Sequence, residues 1–249
     1  MRLEIATLSK AGGRPVNEDA CGVWPSAEVC FCVLSDGAGG HGGGDVASKL
    51  VVSRVLDWFR ARPECSPEAV AGALLIANQA VLEGQKSSGR LSDMRATVVV
   101  LALDTGCGQA VWGHLGDSRL YCFRGQRLVA QTRDHSVVQS MVDAGYVKAE
   151  ELRSAPQRSR LLGALGDANN FEPQIAPGSY VLQDGDAFLL CTDGCWEYVE
   201  EAEMERALSQ SHSGEDWLRL LERQVVAGGR PGQDNYSAIA IWCQDPEGT

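Results

Sequence analysis

The amino-acid sequence predicts an α+β fold in which two antiparallel β-sheets pack together beneath helices. Three observations predict it. Short β-branched apolar runs read as strands, and longer runs with three-to-four-residue apolar spacing read as helices. Strands and helices also cluster separately along the chain, whereas a doubly wound parallel sheet alternates them. In chain order, "VCFCVL" (29–34) is the first buried strand. A helix over 45–60 places Ala47, Leu50, Val51, Val55 and Trp58 on one face. The next, over 66–83, opens with "SPE", an N-capping Ser66 with Pro67 at the first helical position, and aligns Val70, Leu74, Ala77 and Val81. "ATVVVLAL" (96–103) and "AVWGHLG" (110–116) read as two strands of a hairpin, joined by a turn that uses Asp104, Gly106 and Gly108. Helices fit 135–144 and 215–227, and strands fit "AFLLCT" (187–192) and "YSAIAIW" (236–242).

The bulk numbers bound the rest. A chain of 249 residues can bury an ample core, and no linker or repeat divides it, so 1–249 reads as a single domain. Net charge is −11 with no basic stripe, which disfavours a nucleic-acid partner, because phosphate neutralisation needs clustered Lys and Arg. No apolar run approaches the ~20 residues that span a bilayer. "MRLEIATLSK" lacks the apolar core of a signal peptide, so a cytoplasmic protein is expected. The nine cysteines are odd in number, lack zinc-ribbon spacing and sit mostly in apolar runs, as reduced, buried thiols do.

Aspartates recur at strand boundaries. Asp36 ends "FCVLSDG", Asp193 ends "FLLCTDG", Asp234 precedes "NYSAIAIW", Asp117 separates two short runs in "GHLGDSRLY", and Asp19 precedes another in "NEDACGVW". A single Asp-Gly pair reads as a turn. Five carboxylates converging on one rim of a sandwich would not tolerate the crowding unless their pKa values rise or cations sit among them. The donors are all oxygen, which suits Mg²⁺ or Mn²⁺ with waters completing the shells. Two such ions sharing a carboxylate and a water would favour in-line attack on a phosphoryl group. Arg14, just before "NED", is a candidate phosphate clamp, with a surface salt bridge as its alternative role.

Seven segments, "RPVNEDA", "SDGAGGHGGGDVAS", "GHLGDSRLY", "TRDHS", "LLGALGD", "CTDGCWE" and "GQDNYS", occur in an order that resembles the type-2C metal-dependent Ser/Thr protein phosphatases (the PPM family), compact bacterial type. The resemblance runs from about residue 5 to residue 243. It implies a four-layer αββα sandwich, with two antiparallel sheets flanked by helix pairs and a binuclear Mg²⁺ or Mn²⁺ centre at one end. By motif, Asp36 would bridge both metals and Gly37 would offer its backbone carbonyl. Asp193 and Asp234 would complete the other ion's protein ligands, and Glu18 and Asp19 would act nearby, directly or through waters. Asp117 with Asp193 would hold a weaker third metal. Arg14 would clamp the phosphate, and Asn235 would sit behind the ligands. Residues 135–166 would include a flap subdomain. Here the chain departs from the family pattern: Ala155 precedes Pro156 where relatives often have His, and Leu162 stands where they often have Thr.

His41 is a candidate general acid for the leaving alkoxide, its ordinary pKa near ~6.5 suiting the task. Asp45 reads as the N-cap of the helix after the glycine run, His135 as a stabiliser of a helix start, and Trp196 as a core or wall residue. Cys195, two residues beyond Asp193, is a candidate redox-sensitive thiol, with an inert packed thiol as the simpler reading. The resemblance implies phosphoserine and phosphothreonine proteins as substrates, an opposing bacterial Ser/Thr kinase in signalling or secretion control, and a monomer. Two alternatives stand beside this: an inactive phosphoprotein-binding module of the same fold, and a Ca²⁺-stabilised structural protein. The dispersed aspartates offer no twelve-residue loop of alternating ligands for the latter.

Overall fold

Alternation inside the apolar strands dictates the layering. Every second residue of a strand faces the same side, so a run that is apolar throughout must be covered on both faces. A computed structural model describes residues 1–38, 42–87 and 89–244. The strands are β1 (Arg2–Lys10), β2 (Asp19–Pro25), β3 (Val29–Ala38), β4 (Arg95–Ala96), β5 (Val98–Asp104), β6 (Gln109–Leu115), β7 (Arg119–Arg124), β8 (Arg127–Gln131), β9 (Gln174–Ile175), β10 (Tyr180–Val181), β11 (Ala187–Cys191) and β12 (Tyr236–Gln244). The helices are α1 (Gly44–Ala61), α2 (Pro67–Gln85), α3 (Val137–Asp143), α4 (Asp193–Trp196), α5 (Glu201–Gln210) and α6 (Gly214–Gly228).

One sheet runs β1-β12-β11-β7-β8 and the other β10-β6-β5-β3-β2, with β4 paired to β3 and β9 to β6. The pairings are antiparallel. In β3, Phe31 and Val33 face α1 and α2, while Cys30, Cys32 and Leu34 face the opposite sheet. In β12, Ile239 and Ile241 enter the space between the sheets, while Ala238 and Ala240 meet α5 and α6. Three apolar layers thus separate four layers of structure, in the αββα order that the resemblance implies.

The helix starts follow local chemistry. Ser66 accepts a hydrogen bond from the N–H of Ala69 at 3.1 Å, the cap expected from "SPE". The start of α1 differs from expectation. Its N-cap is Gly43 at φ 110° with no side-chain cap, and Asp45 lies inside the first turn, paired with Lys49 at 3.2 Å. The glycine run enters the helix through a left-handed residue, a conformation that glycine adopts without steric cost. Segment 135–166 carries α3, capped by Ser136, and a 3₁₀ turn at Ala149–Ser154. Within it Leu161 bridges back to Ser136, and the segment returns to the sandwich through a bridge of Leu165 to Ala96. The thiols are all free, and Cys30, Cys32, Cys122, Cys191, Cys195 and Cys243 are buried.

Candidate metal centre

The predicted strand-end aspartates come together at one end of the sandwich. A cavity of about 390 Å³ is lined there by Arg14, Glu18, Asp36, Gly37, Asp117, Asp193, Asp234 and Asn235, among others. Asp19 lies directly across the β2–β3 pair from Asp36 and is buried.

Backbone geometry places each group. Gly37 is pressed against α1: a Cβ there would come within 2.0 Å of the Gly44 carbonyl oxygen, so only glycine permits the approach. Asp117 sits on the β6–β7 turn. Its carbonyl accepts from the Trp196 indole at 2.9 Å, and the preceding Gly116 N–H donates to His135 Nδ1 at 3.1 Å. His135 therefore fastens the Asp117 turn rather than the helix start, which belongs to Ser136. Trp196 is buried in the core. Asp193 opens α4, and one turn later Glu197 pairs with Arg158 from segment 135–166. Thr192 hydroxyl donates to Asp19 Oδ2 at 2.9 Å while accepting from the N–H of Ser237 at 3.0 Å, joining the two sheets at the rim.

The Arg14 loop is held by Asn235. Its amide donates to the carbonyls of Ala11 at 2.8 Å and Val16 at 3.0 Å, and its carbonyl accepts from the N–H of Glu18 at 2.8 Å. Arg14 itself reaches Asp234 Oδ2 at 2.9 Å, both side chains about half exposed at the cavity mouth. The salt bridge given as the alternative role of Arg14 is thus present, as an ion pair with Asp234 beside the carboxylate cluster. His41 lies outside the described residues.

Burial, and after it crowding, raises the carboxyl pKa values. Burial, then the charges of Asp193, Asp19, Asp117 and Asp234, pushes Asp36 well above the usual carboxylate range. Burial, then Asp117, Glu197, Asp234 and Asp19, does the same to Asp193. Burial and Asp134 bring Asp117 up to about 7. Burial brings Asp19 up to about 6, against the opposing hydrogen bonds of Ser237 and Thr192. Glu18 is also raised, by burial, then Asp45 and Asp234.

Two buried carboxylate oxygens, Asp19 Oδ1 and Asp193 Oδ1, have no hydrogen-bond partner. Each is an acceptor withdrawn from water with nothing to neutralise it, a costly state unless a cation or proton supplies the partner. Among the described residues, no three His, Cys, Asp or Glu side chains already close into a cage. An open all-oxygen rim of this kind fits hard divalent ions, which bind through one or two carboxylates and keep several waters.

Several supporting residues escaped the sequence reading. Arg119 is buried, grips Asp134 through two bonds of 2.7 and 2.8 Å, and stacks 3.6 Å from the Trp196 ring. Thr97, Ser118 and Thr192 place polar hydroxyls in the buried rim. The available signal was their position within one or two residues of a strand-end aspartate or opposite one.

Residues 10–228 match the family model for protein phosphatase 2C. This chain belongs to the protein phosphatase 2C family. The protein phosphatase PhpP of Streptococcus pneumoniae is 29% identical over 246 residues, covering 96% of this chain and 97% of PhpP. The crystal structure of the catalytic domain of the serine/threonine phosphatase PstP with two manganese ions superposes with a TM-score of 0.82 at 28% identity, covering 98% of this chain and 99% of that one. PppA, described as a key regulatory component of T6SS in Pseudomonas aeruginosa, gives 0.80 at 32% identity, covering 97% and 98%. The relatives and structural neighbours of this 2C chain are serine/threonine protein phosphatases of PPM type, and it is an enzyme of that activity. Phosphatases of the 2C type are metal-dependent.

Proposed function

We propose that the rim cavity is the active centre. In this reading Asp36, Gly37, Asp193 and Asp234 hold two Mg²⁺ or Mn²⁺ ions, Glu18 and Asp19 support them, and Asp117 with Asp193 takes a weaker third. The observation that carries it is the pair of buried, partnerless oxygens of Asp19 and Asp193 beside a cluster of desolvated carboxylates. Bound ions supply positive charge for the phosphoryl oxygens and an acidified water as nucleophile.

The chain's own groups do the rest. Arg14 binds phosphate oxygens through its planar fork, after exchanging its contact with Asp234 for the substrate. Asn235 fixes the loop from which Arg14 reaches. Thr192 holds one oxygen of Asp19 and leaves the other without a hydrogen-bond partner. In the overall reaction a P–O bond to water oxygen forms, the bond to the serine or threonine oxygen breaks, and a proton lost by water balances the one gained by the leaving alkoxide.

The substrates in this reading are phosphoproteins made by a bacterial Ser/Thr kinase, and the likeness to PppA supports a role in secretion control. The enzyme acts as a cytoplasmic monomer of one domain with residues 135–166 as flap. Among the described residues no helix is long and apolar enough to cross a membrane. The test is hydrolysis of p-nitrophenyl phosphate and a phosphothreonine peptide with Mn²⁺ and with EDTA, in wild type, Asp36→Asn and Asp193→Asn. Mn²⁺-dependent turnover lost in both variants is expected. Unaltered turnover in both refutes the site.

A further inference from the structure

We propose that Thr97 is a positioning residue for the phosphatase reaction, its hydroxyl standing in for a missing rung of the β-ladder and fixing the backbone of Asp36. The inference rests on the reading of Asp36 as a metal-binding carboxylate. In an antiparallel hydrogen-bonded pair, two opposite residues exchange two backbone bonds. β3 pairs with β5 up to Leu34–Val99 and with β4 from Gly37–Ala96, so the same register sets Thr97 opposite Asp36. Thr97 belongs to neither strand. One rung forms normally, from the Thr97 N–H to the Asp36 carbonyl at 2.8 Å. The return rung is diverted: the Asp36 N–H donates to Thr97 Oγ1 at 3.0 Å, and the Thr97 carbonyl accepts from Ser35 Oγ at 2.7 Å instead.

The hydroxyl is itself tied down. Thr97 Oγ1 lies 2.7 Å from Ser118 Oγ, next to Asp117 on the β6–β7 turn. Ser35, Thr97 and Ser118 are all buried, with Thr97 at the wall of the rim cavity. The threonine methyl packs against Gly116, where a Cβ would come within 2.7 Å of Thr97 Cγ2. β-Branching and this contact leave the side chain one orientation. A single hydroxyl thus links the strand that carries Asp36 to the turn that carries Asp117. Removing it leaves the Asp36 N–H buried without an acceptor, and the local backbone must move to find one.

The test compares Thr97→Val, which keeps the shape and removes the hydroxyl, with Thr97→Ser, which keeps the hydroxyl. Mn²⁺ titration by calorimetry is expected to give a dissociation constant about 10–100-fold weaker in T97V, the size typical of losing support behind a metal ligand. Turnover of a phosphothreonine peptide should lose kcat with KM nearly unchanged, and T97S should restore Mn²⁺ affinity to within about threefold of wild type. Wild-type Mn²⁺ affinity and kcat in T97V, with only a lower melting temperature in EDTA, would mean a purely structural role and overturn the proposal. If T97V does not fold, Thr97→Ala carries the test, and an unchanged Mn²⁺ constant there overturns it equally. Asp36→Asn measured alongside separates the two readings. Mn²⁺ binding that survives D36N sinks the assignment of Asp36, whereas binding lost in D36N and kept in T97V sinks the Thr97 role alone.

Discussion

Replacing Asn235 by alanine should disable the enzyme through Arg14, a residue that Asn235 does not touch. The side chain is 5% exposed and makes three hydrogen bonds of 2.8, 2.8 and 3.0 Å to the backbone of Glu18, Ala11 and Val16. Each is worth about 0.5–1.5 kcal/mol net. Residues 12–16 of the loop are exposed, so freed carbonyls there can meet water, which places the loss in the lower half of the range, about 1.5–3 kcal/mol. For a chain of this length that lowers the melting temperature by about 3–12 °C. Activity should fall further than stability, because a displacement of about 1 Å in a positioning group can cost about 10²-fold. The assay is kcat/KM on a phosphothreonine peptide for N235A, Arg14→Ala and the double variant, below their melting points. A loss of about 10–100-fold is expected in N235A, with the double variant hardly worse than the poorer single. Losses that multiply in the double variant, or wild-type kcat/KM in N235A, would refute the idea that Asn235 works by holding the Arg14 loop.

Two further outcomes follow from buried charge. Arg119→Met leaves Asp134, whose side chain is 2% exposed, without its cation; urea unfolding should show a loss of about 3–5 kcal/mol, largely recovered when Asp134→Leu is added. A single variant as stable as wild type would contradict this. The raised carboxyl pKa values give a pH signature in EDTA. A folded-state acid with a raised pKa retains its proton where the unfolded chain, titrating near ~4, has lost it, so its stabilisation is complete below that value and disappears as pH rises. With Asp19 at about 6, Asp117 at about 7 and Asp36 and Asp193 also raised, the melting temperature in EDTA should fall from pH 5 to 7.5. Mn²⁺ must displace those protons, so its affinity should rise over the same range, and calorimetry in buffers of different ionisation enthalpy should register their release. A melting temperature that climbs with pH in EDTA would count against the crowded rim.

Much of this molecule is written locally. The fully apolar alternation of β3, β5 and β12 already requires cover on both faces, and that requirement produces the layered sandwich. The aspartates stand at strand ends in the sequence, and the antiparallel order of those strands brings them to one rim in space. Where local signal is weak, the elements were not legible. Edge strand β1 buries only Ala6, and α5 buries only Met204, Ala207 and Leu208 of its "EAEMERALSQ". Asp45 does not cap α1 as its position suggests, because a glycine run can turn into a helix without a side-chain acceptor. What only the tertiary structure decided is which polar group holds which. Asn235 meets Glu18 across 217 positions, Thr97 faces Asp36 across 61, and Thr192 reaches Asp19 across 173. The physical reason is a difference in range. Burial is specified residue by residue, through a periodicity that neighbours in the chain share. A hydrogen bond between strands depends on register and on which sheet lies opposite, and those are set only when the two sheets pack.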